Sequence, residues 1–84
     1  MYKLRHSNPA VTAVWDSLPD NARDELNLAL FEIIEDPYGA TRPAGDRPED
    51  VERTLTLQRT TITLVIIDAP PIQRVYLRTI DLIA

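Results

Sequence analysis

The side chains best suited to chemistry in this sequence are arginines in its second half. Arg74, Tyr76 and Arg78 recur at every second position, so on a β-strand they share one face, while Val75 and Leu77 take the other, with Ile83 further on. In the preceding apolar-polar run, Thr54, Thr56 and Gln58 oppose Leu55 and Leu57 in the same way. With the leucines and valines turned to a core, the uncovered face displays two guanidiniums flanking a phenol, with hydroxyls and an amide beside them. That set can hold a phosphate and stack a base. The same arginine stems also serve simply to cover exposed sheet. Arg53 and Arg59 are in phase with the core leucines but fall at strand ends, from which they can reach the rim.

Other chemistry finds little footing. There is no cysteine, which removes disulfides, thiolate–metal clusters and a nucleophilic thiol. His6 is the single histidine and reads as a packing or surface residue. Asp20 and Asp24 stand one helical turn apart, but aspartates at a helix start answer its dipole and cap better than a magnesium ion. Trp15 lies on an apolar stripe and reads as core. No glycine-rich phosphate loop and no Ser/His/Asp set is present. Neither metal nor organic cofactor is expected.

The elements that must position these residues follow from periodicity. Tyr2–His6 alternates as a short strand. Asn8 reads as an N-cap with Pro9 at the first helical position, and Val11, Val14, Trp15 and Leu18 form one helical stripe. Pro19 ends that helix and opens another reaching to Glu35, in which Ser17 and Asp20 have the spacing of a capping box. Ala22, Leu26, Ala29, Leu30, Ile33 and Ile34 fall on its core side, and Arg23 on the solvent side. Asp36-Pro37-Tyr38-Gly39 stops it. Residues 36–50 hold three prolines and both glycines and read as a linker. Three strands follow, Val51–Arg59, Ile62–Asp68 and Ile72–Ile83, joined by turns at Arg59–Thr61 and Asp68–Pro71. The expectation is one α+β domain over residues 1–84 with order β-α-α-β-β-β, its helical hairpin covering one face of a mostly antiparallel four-stranded sheet.

Composition bounds the class. The 84 residues suffice for one domain, and the longest apolar run, Leu64–Ile67, is far too short for a bilayer span. With no secretory signal pattern at the start, a soluble cytoplasmic protein is expected. The net charge of −4 argues against nonspecific nucleic-acid binding. It is uneven: residues 1–50 carry five Lys/Arg against ten Asp/Glu, and residues 51–84 carry four against three.

The element order, with Trp15-Asp16-Ser17-Leu18-Pro19, Ala22-Arg23 and Glu35-Asp36-Pro37 in the helical part, resembles the RelE/ParE toxin superfamily over essentially the whole chain. The resemblance implies a toxin of a type II toxin–antitoxin pair, held inactive by a cognate antitoxin protein. Such toxins act on ribosome-bound mRNA as endoribonucleases, or block a protein target such as gyrase. For a ribonuclease it implies Arg74, Tyr76 and Arg78 as catalytic residues, with Arg53, Arg59, Thr54, Thr56 and Gln58 contacting RNA. The ribonucleases usually carry a terminal Tyr or His, whereas this sequence reads Asp81-Leu82-Ile83-Ala84, leaving proton transfer to Tyr76. A noncatalytic protein-interaction module on the same fold is the alternative, and a homodimer is compatible with either. No membrane partner is expected.

Overall fold

The computed structural model describes residues 1–83, and Ala84 lies outside them. The chain opens with strand β1 (Lys3–His6) and enters helix α1 (Pro9–Ser17). The Asn8 side chain accepts the Val11 amide at 3.1 Å, and Pro9 occupies the first helical turn, where its missing N–H costs nothing. Helix α2 (Asp20–Glu35) begins without a side-chain cap. The expected Ser17/Asp20 box does not form, because the Ser17 hydroxyl donates back to the Val14 carbonyl at 3.0 Å. Arg23 also departs from expectation. Rather than facing water, it donates to the carbonyls of Trp15 (3.2 Å), Asp16 (2.9 Å) and Leu18 (3.1 Å). Those carbonyls crowd the negative end of α1, where Trp15 also accepts the Leu18 amide at 3.3 Å, so one guanidinium ties the second helix to the end of the first.

The linker-like stretch is largely ordered. Asp36 caps a short helix α3 (Pro37–Ala40) by accepting the Gly39 amide at 3.1 Å. A Cβ on Gly39 would collide with that carboxylate. A two-residue strand β2 (Arg42–Pro43) follows. Strands β3 (Glu52–Thr56), β4 (Thr60–Ala69) and β5 (Ile72–Leu82) complete a five-stranded sheet of order β1-β5-β4-β3-β2. The β1–β5 pair is parallel and every other pair antiparallel. The fold class is α+β as expected, with one strand more. The β3–β4 turn lies earlier than expected, closed by the Leu57 amide on the Thr60 carbonyl at 2.8 Å, so Gln58 and Arg59 are turn residues.

Ile62, Leu64 and Ile66 of β4 and Val75, Leu77 and Ile80 of β5 are buried against Val11, Leu18, Leu26, Leu30 and Ile33 of the helices. A register shift at Thr63/Leu64 inserts one extra residue on β5: Leu64 faces Leu77 and Thr63 faces Thr79, which leaves Arg78 as the bulge. Beyond it the strand's phase inverts. Ile80 therefore packs in the core at 6% exposure, and Ile83, expected there, is 43% exposed. Among the described residues no helix is long and apolar enough to cross a membrane.

Candidate functional site

The sheet face away from the helices brings several potentially reactive side chains together. Alternation and register place Glu52, Thr54 and Thr56 of β3, Thr61, Thr63, Val65 and Ile67 of β4, and Arg74, Tyr76, Thr79 and Asp81 of β5 there. The bulge turns two consecutive residues to the same side, so Arg78 joins Thr79 on this face. Lys3 and Arg5 of β1 stand beside Arg74 and Tyr76, and Arg42 of β2 stands beside Thr54, extending the face to both edges.

Hydroxyls carpet its centre. Thr63 and Thr79 share a hydrogen bond of 2.6 Å across β4 and β5, Thr61 donates to Thr56 at 3.4 Å, and Thr54 donates to the Ile62 carbonyl at 3.1 Å. Arg74 Nη1 donates to the Tyr76 hydroxyl at 3.2 Å, which orients the phenol and leaves its own proton free for a ligand. Arg78 reaches across β4 to Glu52, Nη1 to Oε1 3.4 Å, with both side chains more than half exposed. An ion pair this wet contributes about 0–1 kcal/mol and yields readily to a competing anion. Arg74 and Arg78 are four positions apart, ~13 Å along a strand, so they meet two different groups of a ligand rather than one phosphate. Tyr76, Val65 and Ile67 supply the apolar floor on which a base could lie.

Two of the expected arginines lie elsewhere. Arg53 is 3% exposed and points to the helix side with Leu55. Its guanidinium donates to the carbonyls of Tyr38 (3.0 Å), Thr41 (2.9 Å), Pro48 (2.8 Å) and Asp50 (3.3 Å) and to the Thr41 hydroxyl (3.0 Å), and it lies 5.1 Å from the Tyr38 ring centroid. It fastens residues 38–50 to the sheet and cannot reach the rim, because a buried guanidinium must satisfy its donors internally. Arg59 turns to α2, where Glu25 accepts its backbone amide at 3.0 Å and its Nη1 at 3.4 Å. Gln58 sits in the adjacent turn and accepts from Arg59 at 3.5 Å, off the open face. His6 lies on the helix side, its Nδ1 2.8 Å from the Thr12 hydroxyl and its ring 6.4 Å from that of Trp15. Tyr2 packs there too, and burial, reinforced by Asp68, raises its phenol above the usual tyrosine range.

Five charged residues of the face escaped sequence reasoning: Lys3, Arg5, Arg42, Glu52 and Asp81. Lys3 and Arg5 join it only through the parallel β1–β5 pairing, which a periodicity does not reveal. Glu52 was legible in principle, since it is in phase with Thr54 and Thr56.

Charge is sharply sorted. Of nine Lys/Arg and thirteen Asp/Glu in the chain, the open face holds five cations (Lys3, Arg5, Arg42, Arg74, Arg78) and two carboxylates (Glu52, Asp81), a balance of +3. The other four cations and eleven carboxylates leave −7 for the rest of the molecule. An acidic protein thus carries one basic surface. No protein-family model matches the chain, and neither curated proteins nor solved structures give a significant match.

Proposed function

We propose that the chain is a RelE/ParE-like, toxin-like component of a type II toxin–antitoxin pair whose open sheet face meets RNA backbone. The observation that supports this reading is the +3 balance on that face of a molecule whose net charge is −4. Cations gathered against the overall sign mark where a polyanion is favoured. In an endoribonuclease, a base takes the proton of the RNA 2′-hydroxyl, the oxygen attacks the adjacent phosphorus, and the 5′-oxygen leaves with a proton. Arg74 and Arg78 would each steady the charge of a different phosphate of the strand, Tyr76 would stack a base or pass a proton, and the Glu52 carboxylate is a further acceptor beside Arg78. Thr54 and Thr56 would hydrogen-bond the strand.

A second reading, a block on a protein target such as gyrase or another noncatalytic contact, is favoured by one feature. Arg78 is paired with Glu52 and Arg74 with Tyr76, so the two guanidiniums are held by different partners and not by a shared one.

Induced expression in a bacterial host, with growth followed and mRNA 5′ ends mapped, tests both. The expected result is growth arrest with new ends at ribosome-occupied codons, abolished by Arg74→Ala with Arg78→Ala at unchanged folding. Arrest without new ends would transfer the reading to a protein target. A folded protein that leaves growth unaffected would remove the toxin reading.

A further inference from the structure

Strands β1 and β5 run parallel in register, which sets Lys3 beside Arg74 and Arg5 beside Tyr76. Paired strands lie ~4.8 Å apart and same-face neighbours along a strand ~6.6 Å apart, so these four side chains form the corners of a small quadrilateral. Three corners are cations. Like charges directly across a strand pair are unfavourable, and this molecule has carboxylates in excess with which to offset them. It places none there. Among the described residues, Arg23, Arg59 and Arg78 each have a carboxylate within 4.0 Å, whereas Lys3, Arg5 and Arg74 have none. Arg5 makes only a 3.4 Å contact to the Leu4 carbonyl, and Arg74 gives one donor to Tyr76. Lys3 and Arg74 also line one shallow concavity of about 160 Å³ at the end of the sheet. Arg5 and Tyr76 lie outside that concavity, one same-face position further along the strands, and neighbouring donors without a carboxylate partner suit a phosphate.

We propose that Lys3, Arg5, Arg74 and the Tyr76 hydroxyl form a phosphate-binding quartet that holds one backbone phosphate of single-stranded RNA. It rests on the reading that the open face meets RNA. To that reading it adds β1 as a contacting strand and separates this contact from the one at Arg78. A base 3′ or 5′ to the held phosphate would rest on Tyr76, Val65 and Ile67.

The test uses the whole chain and two probes. Inorganic phosphate is titrated into ¹⁵N-labelled protein, and a labelled short oligouridylate is titrated at several salt concentrations, each with wild type and the Lys3→Gln/Arg5→Gln variant. Both substituted residues are exposed, so the variant keeps the fold, which its ¹⁵N spectrum verifies directly. Phosphate is expected to shift the signals of Lys3, Arg5 and Arg74 in the wild type at millimolar concentration and not the corresponding region of the variant. The salt slope of oligouridylate binding falls by about 0.7 for each phosphate that the variant no longer neutralises. Phosphate shifts at the quartet with no oligouridylate binding by wild type would keep the anion site and overturn the RNA reading. Oligouridylate binding with an unchanged slope in the variant, and phosphate shifts elsewhere, would overturn the quartet and leave the RNA reading standing.

Discussion

Arg53 and Arg74 are the same side chain on two strands of one sheet, and their opposite uses turn on strand phase. Arg74 is out of phase with Val75 and faces water with its charge available. Arg53 is in phase with Leu55 and faces the helix side, where an unsatisfied guanidinium would cost several kcal/mol. The fold meets that cost with carbonyls of residues 38–50 and the Tyr38 ring, and without any carboxylate. Removing Arg53 orphans those carbonyls, so Arg53→Ala is expected to destabilise the protein by about 3 kcal/mol, read as a lower urea midpoint at unchanged slope. Arg53→Lys should rescue little, because an ammonium cannot span acceptors arranged for a planar fork. A loss below about 1 kcal/mol in Arg53→Ala would mean that residues 38–50 hold together without the clasp. Sequence phase set Arg53 with the core leucines, but its place at a strand end led to the expectation that it reaches the rim, which its burial overturns. Its acceptors did not show in the sequence, since they are main-chain atoms of a segment whose composition reads as linker.

At the level of elements, the bulge at Arg78 decides which residues of β5 reach the core and which the open face. Leu77 pairs with Leu64 and Thr79 with Thr63, consecutive positions on β4, so Arg78 is the single residue whose removal restores regular pairing. Deleting Arg78 is therefore expected to keep Ile80 opposite Ile62 and to preserve cooperative unfolding, at a cost of about 1 kcal/mol or less. Deleting Tyr76, two positions away, turns Leu77 outward and Arg78 inward and should cost upwards of about 3 kcal/mol. Thermal unfolding of the two deletions compares them directly, and equal losses would refute the phase argument. The same bulge explains why alternation points to Ile83 as the inward residue when Ile80 takes that place. Strict alternation carries no sign of an inserted position, and Arg78 is an ordinary strand residue by type. The helices were more legible, because Asn8-Pro9 and Asp36-Pro37 act through neighbours in sequence. Arg23 was not, since its acceptors belong to the preceding helix. The open face was half legible. Thr54, Thr56, Arg74 and Tyr76 follow from alternation within strands, whereas Lys3 and Arg5 join them only when the two ends of the chain pair in parallel.

Over the whole molecule, +3 on the open face stands against −7 elsewhere, so on the RNA reading proposed above a polyanion is favoured on the sheet side. Glu52 works against that field from inside the face, where it draws Arg78 toward itself. Glu52→Gln frees the guanidinium and raises the balance of the face by one charge while preserving the side chain's size. Binding of single-stranded RNA is expected to tighten ~5-fold at low salt, an advantage that shrinks as salt is raised because the gained contact is exposed. Catalysis responds in the opposite sense if the carboxylate accepts the 2′-hydroxyl proton, since an amide cannot take it. Anisotropy titrations with oligouridylate and mapped mRNA ends in the same variant therefore divide two roles for one residue. Tighter binding with cleavage abolished identifies Glu52 as a proton acceptor, and tighter binding with cleavage retained or increased makes it a restraint on Arg78. Weaker binding would contradict the electrostatic account of the face itself, because no loss of negative charge there should repel RNA.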